Sequence, residues 1–221
     1  MSTASSATRP QRLVLHGVSW REYTRMLRAF AERPGYRLTY DRGTLEITSP
    51  LFEHEADAEL LGRFVFVLTE EMGLPLQSGR STTLRRRRMH RGLEPDHSWW
   101  IAHEPRVRGK RRIDLRVDPP PDLAVEVDVT HRSLNRMAIY ARLGVPEVWR
   151  LDSWRGLTFQ VLQPNGRYAE QTHSPTFPLF TPADLMPFLA LRTQHNENEV
   201  VRRFRDVVRQ RLAVAASPPT P

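Results

Sequence analysis

Residues 122 to 152, DLAVEVDVTHRSLNRMAIYARLGVPEVWRLD, read as strand, turn, helix and strand. That order commits the chain to an α/β arrangement. Leu123, Val125, Val127 and Val129 alternate with Ala124, Glu126 and Asp128, the period of a strand. The apolar face is suited to burial. The opposite face carries two carboxylates two residues apart, roughly 6.6 Å along a strand at the usual rise. Ser133 stands where a helix N-cap belongs, and Met137, Ile139, Tyr140 and Leu143 form an apolar stripe. Gly144 suits the position after the helix, Pro146 forbids its continuation, and Val148 to Leu151 resumes as a strand. Two acids on one strand face, followed by a helix that aims a cation back at them, suit a divalent metal and a phosphate.

With 221 residues, 39% of them hydrophobic, the chain is long enough for one sizeable α/β domain or two small ones, with apolar residues enough for a core. It has no cysteine, which excludes disulfides and thiolate metal sites and fits a reducing cytoplasm. No apolar run approaches membrane-spanning length, so no membrane partner is expected. The formal net charge is +8, and Lys110 is the only lysine among 33 basic residues. Arginine binds phosphate bidentately, so this balance suits nucleic acid. GC-rich coding DNA produces the same bias.

In chain order, residues 1 to 10 are expected to be disordered, 11 to 212 to form a single domain, and 213 to 221 a disordered tail. Ser19 and Glu22 form a capping box ahead of a helix bearing Trp20, Tyr23, Leu27 and Phe30. Tyr36 to Tyr40 and Thr44 to Thr48 make a hairpin around Asp41-Arg42-Gly43. A longer helix runs from about Glu53 to Met72. Leu74 to Leu84 is expected as a strand leading into Arg85, Arg86, Arg87 and Arg88, and His97 to His103 as another. Residues 104 to 121 read as a loop with a minor strand at Ile113 to Val117. A second hairpin surrounds Pro164-Asn165-Gly166, and helices follow from Thr181 and from His195 to Leu212.

Mg²⁺ prefers octahedral oxygen coordination with several waters retained. Asp96 and Glu126, from neighbouring strands, are candidates to share one such ion, with Asp128 as a further ligand. Alternating acids also describe a solvated strand face, and Asp96 after Pro95 also suits a turn.

Pro95-Asp96, Glu126-Val127-Asp128 and the run from Gly144 to Trp149 resemble the Uma family of restriction endonucleases, part of the PD-(D/E)XK nuclease superfamily. The resemblance is most specific at PPPDLAVEVDVTHRSL and IYARLGVPEVWRLD, and extends more weakly over residues 18 to 190, including GTLEITSPLFEHE. It implies a restriction-endonuclease-like fold, a mixed sheet flanked by helices, and metal-dependent hydrolysis of DNA phosphodiester bonds. Asp96 and Glu126 would ligate Mg²⁺, with Mn²⁺ as a substitute. It also marks His54 and Glu55, with Glu53 beside them, as residues lining the same cleft; carboxylates there also complement a helix dipole.

The chain departs from that pattern at the lysine. Asp128 occupies the motif position, and Asn135-Arg136 stands where relatives place an Asp-Lys pair in the helix. Arg136 can hold a phosphate but cannot act as a general base. A nuclease-fold protein that binds nucleic acid with weakened or lost catalysis is therefore the alternative, and a scaffold protein with merely compositional charge is a third reading. Arg85 to Arg88 and the cations from Arg106 to Arg112 are candidates to track a backbone. Trp99 and Trp100 are candidates to stack on bases, although strand neighbours face opposite ways. Cleaving both strands of a duplex would suit a homodimer, with the last helix as the candidate contact.

Overall fold

The computed structural model describes residues 11–33, 35–49, 51–128 and 134–217, with the side chain of Asp128 left out. Expectations for residues 1 to 10, Val129, Ser133 and residues 218 to 221 lie outside these. The elements are β1 (Gln11–Leu15), α1 (Trp20–Phe30), β2 (Arg37–Asp41), β3 (Thr44–Ser49), α2 (Phe52–Glu71), β4 (Gln77–Ser78), β5 (Leu84–Arg86) and β6 (Arg91–Leu93). They continue with β7 (His97–Trp100), α3 (Glu104–Val107), β8 (Leu123–Asp128), α4 (Arg136–Leu143), β9 (Glu147–Asp152), β10 (Gly156–Leu162), β11 (Tyr168–Gln171), α5 (Pro182–Leu191) and α6 (Glu197–Ala216).

A six-stranded sheet in the order β11-β10-β9-β8-β7-β4 forms the centre. It is mixed: β8 and β9 run parallel across the α4 connection, and its other pairs are antiparallel. Both faces of β8 are covered. Leu123, Val125 and Val127 pack with Leu61, Phe64 and Leu68 of α2 and Phe204 of α6. Ala124 packs with Ile139, Tyr140 and Leu143 of α4. The acid-bearing face of β8 is therefore an interior face. A mixed sheet flanked by helices is what the sequence leads one to expect.

A second, antiparallel sheet, β1-β3-β2-β6-β5, packs α1 through Val18, Tyr23, Leu38, Tyr40, Leu45 and Ile47. The hairpin of β2 and β3 lies inside it. Its strands β5 and β6, of three residues each, are too short to carry a clear period.

Several expectations need correcting. Leu74 to Leu84 is not one strand. The chain leaves the central sheet at Gly79, where a Cβ would stand 2.5 Å from Trp100, and turns through Arg80 at φ +44°. Only β4 stays in that sheet, and β5 joins the other. Ile113 to Val117 forms turns, not a strand, because Asp118 accepts the Asp114 N–H and Val117 N–H bonds to the Asp114 carbonyl. The cap of α4 is Asn135, whose side chain accepts from Ala138 N at 3.0 Å. Ala213 to Ala216, expected in a disordered tail, complete α6. Trp99 and Trp100 are both buried, in opposite cores, so neither is placed to stack on a base. The apolar side of α6 is buried within the chain at Val200, Val201, Phe204 and Val208, leaving that stripe unavailable as a dimer contact.

Candidate functional site

The register of β7 on β8 pairs His97 with Val125, which sets Asp96 across from Glu126 one step further along. Asp96 Oδ2 accepts the Val127 N–H at 2.8 Å, fixing the turn into β7 against β8. Glu126 points into the layer between the sheet and α4 and is only 1% exposed.

Two residues of α4 meet it there. Arg136 and Tyr140 are one helical turn apart and share a face. Arg136 grips Glu126 bidentately, Nε to Oε1 at 2.7 Å and Nη2 to Oε2 at 2.7 Å. Tyr140 donates its hydroxyl to Glu126 Oε2 at 2.6 Å. Arg136 Nη1 donates to Thr39 of β2, and Nη2 also donates to the Glu94 carbonyl at 2.8 Å. The guanidinium thus ties the second sheet, the chain before β7, and β8 together.

The electrostatics follow from burial. Burial opposes the Arg136 cation, but Glu126, Tyr140 and Asp96 outweigh it and hold its pKa above the ordinary value. Burial, followed by the Glu126 charge, raises the Tyr140 phenol well above its usual range. Tyr140 is therefore a neutral donor across the physiological range.

Asp96 also lies on a groove of about 640 Å³ between α1 and β2 on one side and α2 and β7 on the other. Glu55 and Glu59 of α2 line it, Glu55 bonded to Arg37 at 3.1 Å. His97 stacks on Trp99 with rings 5.4 Å apart, its Nε2 3.5 Å from Glu59. Burial lowers the His97 pKa, and Glu59 opposes that shift. Of the three acidic and histidine residues singled out at the start of α2, Glu55 faces the groove, while Glu53 and His54 stand outside its lining.

The sequence-predicted residues therefore divide. Asp96, Glu126 and Arg136 converge. Asp128 ends β8 one strand repeat beyond Glu126, with its side chain outside the described residues. Arg85 and Arg86 end β5, and Arg87 and Arg88 open a short 3₁₀ turn. Sequence reasoning missed Tyr140, Thr39 and Glu94. The spacing of Tyr140 from Arg136, four residues on one helix, was the available signal.

The donor chemistry of Asp96 and Glu126, oxygen only and from adjacent strands, fits a hard divalent cation. Glu126 is already held by Arg136 and Tyr140, so a cation must share its carboxylate with the guanidinium or displace it. Among the described residues, no group of three or more His, Asp or Glu is set to hold a metal ion.

A family model, Uma2, described as "Putative restriction endonuclease", matches residues 20–194. A crystal structure of "a putative nuclease belonging to DUF820" from Anabaena variabilis is similar at 17% identity and a TM-score of 0.47, covering 69% of this chain and 90% of that one. A comparison with curated proteins finds no match.

Proposed function

The chain belongs to the Uma2 restriction-endonuclease family, and from that premise we propose that it is a divalent-metal-dependent nuclease acting on DNA phosphodiester bonds. The observation that carries this reading is Asp96, in the lining of the groove, across from the buried Glu126, which a buried cation holds. Asp96 and Glu126 would hold Mg²⁺ or Mn²⁺, and Asp128, two residues on in the sequence, would add a ligand. The bound ion would polarise the scissile phosphate and lower the pKa of a water. Arg136 acts as a positioning residue. Its Nη1 and Nη2 donate to protein acceptors and its Nε stands 2.7 Å from Glu126 Oε1 as an ion pair, so it orients Glu126 instead of reaching for a phosphate. Tyr140 fixes the same carboxylate from the side. The arginines Arg85 to Arg88 supply backbone contacts.

Mn²⁺ binding followed by electron paramagnetic resonance tests the ligand assignment apart from turnover. The wild type should bind the ion, and Asp96→Asn should weaken binding at least tenfold. Equal binding by both would remove Asp96 from the site.

The grip of Arg136 on Glu126 favours a second reading, nucleic-acid binding with slow or absent cleavage. Arg136→Lys separates the two. A compact ammonium offers no bidentate fork to Glu126, so this substitution should tighten Mn²⁺ binding if the guanidinium competes with the ion.

A further inference from the structure

We infer that the cavity at the far end of α4 is a phosphate-binding site distinct from the carboxylate centre. It is an open pocket of about 420 Å³ lined by Arg86, His103, Arg106 and Arg116, by Asp118, and by the chain at Pro119 and Pro120. Gly144 and Pro146 also line it. Arg136 begins α4 and Gly144 follows its last residue, so the helix separates the two places by about 12 Å.

The charges around this cavity are unequally matched. Asp118 is engaged by Lys110 and by the Asp114 N–H. Arg116 is engaged by Asp114. His103 faces Asp122 through Nδ1. Arg86 and Arg106 have no ion pair among the described residues. Arg63, Arg205, Arg209 and Arg211, by contrast, are each paired with an acid. Arg86 Nε is buried without a hydrogen-bond partner. A buried donor left unmade costs on the order of 1–3 kcal/mol, and a ligand oxygen would relieve that cost.

Two guanidinium groups without acids, lining one pocket, call for a multi-oxygen anion with charge to spare. Phosphate meets that requirement, because its oxygens accept forked N–H pairs. The negative end of α4 opposes an anion here, and the Gly144 N–H offsets part of that by bonding the Tyr140 and Ala141 carbonyls. The phosphate is either a backbone or terminal group of nucleic acid or a free phosphate. Only the first source depends on the nuclease reading.

The test uses the full chain with Arg86→Ala and Arg106→Ala, neither of which touches Asp96 or Glu126. Inorganic phosphate is titrated by calorimetry, and a duplex oligonucleotide by fluorescence anisotropy at several salt concentrations. Thermal melts confirm that the variants fold; Arg106, exposed on α3, serves if Arg86→Ala does not. Either substitution should weaken phosphate at least tenfold, or reduce the salt slope for DNA by about one unit per arginine. A loss confined to phosphate supports the site with a free ligand, and a loss confined to the DNA slope supports it with nucleic acid. Unchanged phosphate affinity together with an unchanged DNA slope overturns the proposal. Loss of cleavage in Asp96→Asn with phosphate binding intact leaves it standing, so the two readings fail separately.

Discussion

Glu126 and Arg136 are each almost wholly out of water, 1% and 5% exposed, so each depends on the other. Removing one partner of such a pair leaves a buried charge and costs about 3–5 kcal/mol. Glu126→Ala is expected to lower stability by that amount in urea unfolding. Adding Arg136→Met should recover a large part of it, because the stranded guanidinium is gone. A double variant as unstable as the single would contradict this pairing. Asp96 is only partly buried, which makes Asp96→Asn the cleaner probe of chemistry. The two acids were legible in the sequence because strand alternation and the Pro-Asp turn are local signals. Tyr140 was not, since a tyrosine in an apolar stripe looks like core. Thr39 was hidden by distance along the chain, 97 residues from Arg136.

At the scale of elements, α6 is held by packing and by ion pairs. Phe204 lies between Phe64 and Phe188, with ring centroids at 4.4 Å and 5.2 Å, and is fully buried. Phe204→Ala should destabilise the fold by about 3–5 kcal/mol, measured by denaturant unfolding. Arg211 joins α6 to Asp184 of α5 at 2.6 Å. Its hydrogen bond, with help from Thr181, holds the Asp184 carboxyl down to about 2. A depressed folded pKa contributes stability above the unfolded value of about 4, and that contribution is lost as pH falls toward 2. Arg211→Ala should therefore flatten the stability profile between about pH 4 and pH 2, checked by thermal melts across that range. The two long helices were legible from their stripes. The break at Gly79 was not, because it arises from the approach of Trp100, a contact the local sequence does not record.

Over the whole molecule, the net charge of +8 is not evenly available. On α6, Arg203, Arg205, Arg209 and Arg211 are paired with acids. Their partners lie on α2, α5 and α6 itself, and the sequence around these arginines does not mark them. The order of strand, helix and strand placed the central sheet correctly. The second sheet escaped, because three-residue strands such as β5 and β6 have no period to read. No helix among the described residues is long and apolar enough to cross a membrane. The metal-dependent nuclease centre proposed at Asp96 and Glu126 governs what the whole molecule does. Its most direct test is conversion of supercoiled plasmid to nicked or linear form, wild type beside Asp96→Asn, with Mg²⁺, with Mn²⁺ and with chelator. Cleavage by the wild type should require the metal and disappear in Asp96→Asn. Cleavage that persists in chelator, or in Asp96→Asn at the wild-type rate, would contradict it.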